Sequence, residues 1–63
     1  MTKYWIIWRY TSQDEKEYLY TLNTKVWIDD RFLAKRMTKE EVAKSSERLI
    51  ELKQCHYLEY VEE

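Results

Sequence analysis

Residues 37–54 read MTKEEVAKSSERLIELKQ, and this stretch decides the fold. Thr38 followed three residues later by Glu41 makes a capping box, in which each side chain serves the other's backbone amide. Met37 and Val42 stand at the two hydrophobic-staple positions around it. A helix is therefore predicted from Lys39 to about Gln54. Val42, Ala43, Ser46, Leu49 and Ile50 share one face at helical spacing, with Glu40, Lys44, Glu47, Arg48 and Glu51 opposite. Glu40 and Lys44 stand in the favourable Glu-before-Lys order at i,i+4.

On either side of this helix the pattern changes period. Lys3 to Tyr10 (KYWIIWRY) is aromatic and β-branched, too short for an independent helix, and stops at the polar run Thr11-Ser12-Gln13-Asp14. A turn without glycine points to a type I core rather than a tight two-residue hairpin. Glu17 to Leu22 is the second strand, antiparallel to the first. Asn23 to Lys25 turns the chain. Trp27-Ile28 then leads into Asp29-Asp30, an N-cap for a short helical turn through Phe32, Leu33 and Ala34. After the helix, His56 to Glu62 reads as a closing strand. The expected fold is α+β: a three-stranded antiparallel sheet with one main helix on one face, in the order β-β-α-β, with a short extra helical turn before the helix. The first strand is central if the last pairs along its free edge.

One helix shields only one side of such a sheet. The first strand offers Tyr4, Ile6, Trp8 and Tyr10 on one side and Lys3, Trp5, Ile7 and Arg9 on the other. The first set carries no charge and is expected under the helix, joined by Tyr18, Tyr20 and Leu22. Register across the hairpin is ambiguous by one residue, and a slip would flip the second strand. The expected open face is Lys3, Trp5, Ile7, Arg9, Leu19, Thr21, Tyr57, Glu59 and Val61. Its bland reading is a dimer contact or a second small core covered by residues 24–37.

With 63 residues, 44% of them hydrophobic and 37% charged, the chain is one small globular domain spanning 1–63. Such a domain buries only about 60% of its unfolded surface. Ten aromatic residues exceed what one small core normally needs, which leaves some for contact. The absence of glycine removes every glycine-rich phosphate cradle. The longest apolar run, Tyr4 to Trp8, is too short for a membrane span or a signal-peptide core. A single cysteine, Cys55, favours a reducing compartment, and the expected location is the cytoplasm.

No motif points to catalysis. Cys55-His56 are adjacent, so on extended chain their side chains diverge; a helix end, where His tolerates unusual φ and complements the dipole, explains them. Two further metal ligands at a recognisable spacing are missing. Asp29-Asp30 and Glu40-Glu41 are explained by helix-start preference. The expectation is no enzyme, no catalytic residue, no metal and no cofactor. Charge is more informative. Residues 24–39 hold five cations against two aspartates, a net of +3, and residues 40–63 hold three cations against seven glutamates, a net of −4. Each end can steer a partner, although a solvated helix and a glutamate-guarded edge strand give the same pattern.

The segments Trp27-Ile28-Asp29-Asp30 and Ala34-Lys35-Arg36-Met37-Thr38-Lys39-Glu40-Glu41 resemble those of small proteins of phages and mobile elements, with Met37 where an aromatic usually stands. Anti-CRISPR inhibitors are among these proteins. The resemblance implies an inhibitor, inside the host cell, of a nucleic-acid-handling complex. The expected function is thus a non-enzymatic protein-binding module, engaging a host protein or nucleoprotein complex through Trp5, Tyr57, Glu47, Glu51, Glu59, Glu62 and Glu63. A nucleic-acid-binding domain using Lys3, Arg9, Arg31, Lys35 and Arg36 is the rival, weakened by the net charge of −1. A homodimer joined through the open sheet face is the third reading.

Overall fold

The computed structural model describes residues 2–21 and 25–63. In chain order it has β1 (Lys3–Tyr10), β2 (Lys16–Leu19), β3 (Trp27–Ile28), a 3-10 turn (Arg31–Leu33), α1 (Lys39–Glu51) and β4 (Tyr57–Glu62). The strands form one antiparallel sheet in the order β3-β2-β1-β4. The α+β class, the central first strand and the last strand along its free side are as expected. The sheet has four strands rather than three, and the helix follows the first three. The additional strand is Trp27–Ile28, two residues long and too short to display a period. It is made a strand by its partners: Leu19 lies opposite Trp27, Tyr18 opposite Ile28, and the Tyr20 amide donates to the Val26 carbonyl. The expected second strand, Glu17 to Leu22, ends at Leu19, and Tyr20, expected in the core, is 45% exposed. Leu22 as a core residue, and the turn at Asn23 and Thr24, lie outside the described residues.

The β1–β2 hairpin closes without glycine. Thr11 and Glu15 pair through the Thr11 amide, the Asp14 amide donates to the Thr11 carbonyl, and Thr11 Oγ1 accepts from the Gln13 and Glu15 amides. Asp14 takes the left-handed position at φ 60°, which Asp tolerates better than most residues. Asp30 caps the 3-10 turn, its carboxylate accepting from the Phe32 amide at 2.9 Å.

The helix begins as its sequence dictates. Thr38 Oγ1 accepts from the Glu41 amide at 3.2 Å, and Glu41 Oε1 accepts from the Thr38 amide at 3.0 Å. Met37 and Val42 are both buried in the same cluster, which completes the staple. Three residues before the expected end, α1 closes in a Schellman arrangement. The Gln54 amide donates to the Leu49 carbonyl, the Lys53 amide to the Ile50 carbonyl, and Lys53 takes the left-handed conformation at φ 58°. The unusual φ expected at His56 therefore falls on Lys53.

The face assignment is inverted. The helix covers the Ile7 side of the sheet, where Ile7, Leu19, Met37, Val42 and Leu49 form the main core with Trp5 and Trp27 packed against it. The expectation failed because Arg9, taken as a mark of the open face, is accommodated on the helix side. Its guanidinium lies 3.9 Å from the Trp27 ring centroid and bonds both Glu17 and Gln54. The buried helix stripe is also rotated from the expected one. Val42, Ser45 and Leu49 face the sheet, and Ile50 is 66% exposed. Ser45 is the one polar residue of that buried stripe.

The other side of the sheet has its own small core of Ile6, Tyr18 and Ala34, flanked by Tyr4, Trp8, Ile28 and Val61. Ala34 covers part of it, on the side opposite to the one that residues 24–37 were expected to cover, and Trp27 packs on the helix side instead. Phe32 and Leu33 do not pack there: Phe32 is 89% exposed. Among the described residues no helix is long and apolar enough to cross a membrane.

Candidate functional site

Beyond Ala34 the helix-free face is open at one corner. Register brings three rings together there. Trp8 lies opposite both Tyr18 on β2 and Tyr57 on β4, and Tyr10 lies two residues further along the same side of β1. Trp8 and Tyr57 stack at 4.5 Å between centroids with an interplanar angle of 22°. Tyr10 meets both edge-on, at 5.2 Å from Trp8 and 5.9 Å from Tyr57. Lys16 reaches across from β2 with its Nζ 4.6 Å from the Trp8 ring centroid. Trp8 is thus held between a neighbour from each adjacent strand, while Tyr10 and Tyr57 are each 50% exposed. The rings hold one another by offset and edge contacts worth about 0.5–1.5 kcal/mol per pair. Such mutual contacts lower the side-chain entropy that remains to be lost on binding.

Beside it the face is ionic but internally balanced. Arg31, from the 3-10 turn, makes a two-pronged contact with the Glu59 carboxylate on β4. That hydrogen bonding holds Glu59 below the usual carboxylate range and Arg31 above its ordinary value. Further along, Tyr4 Oη donates to Glu63 at 2.6 Å, and this bond to a carboxylate raises the Tyr4 phenol. Arg36 lies 4.6 Å from the Tyr4 ring centroid and 4.0 Å from Glu63. Tyr4, Arg31, Phe32 and Arg36 line a cleft of about 230 Å³.

The expected site residues are therefore divided. Tyr57 and Glu59 are on the helix-free face. Trp5 is on the helix side, half-buried and tilted against Tyr60 at 5.1 Å. Glu47 and Glu51 are exposed on the outer surface of α1, and Glu62 sits opposite Lys3 at the far end of β4. Of the basic set, Arg9 belongs to the helix side, Arg31 and Arg36 flank the cleft, and half-buried Lys35 donates its amide to the Leu19 carbonyl. Neither group of residues converges on one patch. Trp8 and Tyr10 were missed because they were placed under the helix.

One polar contact has no sequence signal. Ser46 Oγ lies 2.7 Å from His56 Nε2, and His56 Nδ1 lies 3.0 Å from the Gln54 carbonyl. A carbonyl only accepts, so Nδ1 carries a proton, and in the neutral ring Nε2 accepts from the Ser46 hydroxyl. The arrangement resembles a nucleophile and base. Ser46 and His56 line neither the Tyr4 cleft nor the shallow depression at Glu41 and Arg48, and the contact ties α1 to the approach of β4. Cys55 is exposed and free. Among the described residues, no three His, Cys, Asp or Glu side chains gather to hold a metal.

The class defined by fold and site is a small α+β domain, one helix on a four-stranded antiparallel sheet, with an exposed aromatic corner on the uncovered face. No protein-family model matches the chain, and no curated protein or solved structure shows significant similarity to it.

Proposed function

We propose that the chain is a non-enzymatic binding module that docks its aromatic corner onto a partner protein presenting apolar and basic side chains. The observation that carries this reading is the Trp8–Tyr10–Tyr57 cluster, pre-ordered and half exposed on the face the helix leaves uncovered. Tyr and Trp dominate protein–protein hot spots because they bury large area at low entropic cost. The faces and edges of Tyr10 and Tyr57 also suit an incoming Arg or Lys, a contact this chain already makes at Trp8, Trp27 and Tyr4.

Base stacking fits the corner less well. Both neighbours of Trp8 are in place, and three of the five cations that would follow a phosphate backbone are engaged: Arg31 by Glu59, Arg36 by Tyr4, Arg9 by Glu17. A basic protein surface is what a nucleic-acid-handling protein offers, and the anti-CRISPR-type inhibitor is the narrower form of this proposal. It rests on the resemblance of residues 27–41.

The test is capture from nuclease-treated bacterial lysate on immobilised wild type and on a Tyr10→Ala/Tyr57→Ala variant, with oligonucleotide titration alongside. A protein retained after nuclease, lost with the variant, and no oligonucleotide binding at low salt is the expected result. Oligonucleotide binding that needs Tyr10 and Tyr57 would replace the proposal with the nucleic-acid reading.

A further inference from the structure

We infer that β4 pairs antiparallel with β4 of a second copy of this chain, about a two-fold axis at Tyr60. The inference begins with backbone bookkeeping. Thr2 and Glu63 exchange both backbone hydrogen bonds. In an antiparallel ladder such pairs alternate, so with the observed register Val61, Glu59 and Tyr57 turn their amides and carbonyls towards β1. Leu58, Tyr60 and Glu62 turn theirs outward, and β4 is the sheet's edge strand. No described residue pairs with those groups.

Natural edges are guarded by charge, proline or bulges. Here one of the charged guards is engaged within the chain and another faces a cation in register. Glu59 is engaged by Arg31 on the helix-free face, and Glu62 lies opposite Lys3. On the helix side the edge presents Leu58, 43% exposed, and Tyr60, 45% exposed, next to Glu62. The helix adds to this strip. Ser46 faces His56, on the approach to β4. Ala43 and Ile50 lie three and four residues from Ser46 and share its stripe, and both are exposed. The apolar arc of α1 is therefore wider than the core needs, and its surplus overlooks the open edge.

A second copy supplies what this surface lacks. Pairing about Tyr60 sets Tyr60 against its own counterpart and Leu58 against Glu62 of the other copy. Glu59 then meets Val61, so no like charges stand directly opposite. The two-fold axis is perpendicular to the sheet, which puts both helices on one side. The two Leu58–Tyr60 strips join between the helices, beneath the two Ile50 side chains. The result is a continuous eight-stranded sheet with both aromatic corners on its other face. The inference is independent of what those corners bind.

The experiment is molar mass by light scattering or sedimentation over a concentration series, because dimerisation follows mass action. Wild type is expected to pass from monomer to dimer as concentration rises to the millimolar range. Leu58→Pro removes an outward amide and leaves the β1 ladder intact, so it stays monomeric with an unchanged circular dichroism spectrum. Leu58→Glu faces Glu62 of the other copy and weakens the dimer by at least tenfold. Leu58→Lys faces the same glutamate and retains it at low salt. A wild type monomeric at millimolar concentration, or a dimer indifferent to Leu58→Pro, overturns the inference. Loss of the dimer in Leu58→Lys as well as in Leu58→Glu overturns the Tyr60-centred register.

Discussion

Replacing Lys53 with glycine is expected to stabilise the protein, against the usual sense of mutations. Lys53 ends α1 at φ 58°, in the left-handed region, with the Schellman bonds from Lys53 and Gln54 in place. A residue with a Cβ pays roughly 1–2 kcal/mol there. Glycine pays almost nothing in the folded state but returns roughly 0.5–1 kcal/mol through its freer unfolded chain. Less about 0.3 kcal/mol for the lost charge near the helix C-terminus, the balance is about 0.2–0.7 kcal/mol in favour of Lys53→Gly. For a domain of this size each kcal/mol moves Tm by about 4–8 °C, so the rise should be about 1–6 °C. Lys53→Ala is the control. It keeps the Cβ and loses only an exposed charge near the helix C-terminus, about 0.3 kcal/mol. Thermal melts of the three proteins at one concentration decide the matter. A Lys53→Gly melt at or below wild type, or an Ala variant that rises as far as glycine, would refute the reasoning.

Three further outcomes follow from the same structure. Thr38→Ala breaks the capping box and should cost about 0.5–2 kcal/mol, with Thr38→Ser retaining most of it in the same melt. Leu49→Ala opens a cavity in the main core and should cost about 2.7–5 kcal/mol, enough to unfold a domain this small, whereas Ile50→Ala should change stability by about 0.5 kcal/mol or less by denaturant titration. Glu59 titrates below its ordinary value when folded, so the Arg31 contact stabilises above the unfolded carboxylate pKa and is lost as pH falls through the folded one. Both side chains are more than a third exposed, so that share is under about 1 kcal/mol; it should fade below about pH 4.3, and Glu59→Gln should flatten this part of the pH–stability curve.

What the sequence makes legible is local. The capping box and staple lie within six residues, Met37 to Val42, and they fix the helix start to the residue. The bounds of β1 and the glycine-free turn follow from adjacent residues in the same way. What it hides depends on distant partners. A charged residue usually marks an open face, but Arg9 is satisfied on the helix side by Glu17, eight residues away, and Gln54, forty-five residues away. Trp27–Ile28 becomes a strand through its partners on β2 and not through any pattern of its own. The Arg31–Glu59 and Ser46–His56 contacts join residues twenty-eight and ten apart, and no local rule pairs them. With β1 facing the other way from the expected one, Trp8 and Tyr10 stand at the open corner and Trp5 packs against the main core.

The aromatic corner is tested most directly by partner affinity in two double variants. Tyr10→Ala/Tyr57→Ala removes the two half-exposed rings, and Glu47→Lys/Glu51→Lys reverses the outer face of α1. Both are compared with wild type against the captured partner, by calorimetry at a temperature where circular dichroism shows every variant folded. Two hot-spot rings at about 2 kcal/mol each predict a loss of affinity on the order of 1000-fold for the tyrosine variant. The helix variant should change it less than tenfold and mainly through the association rate. Full affinity in the tyrosine variant, with binding abolished by the glutamate reversals, would place the docking surface on the helix and contradict the account.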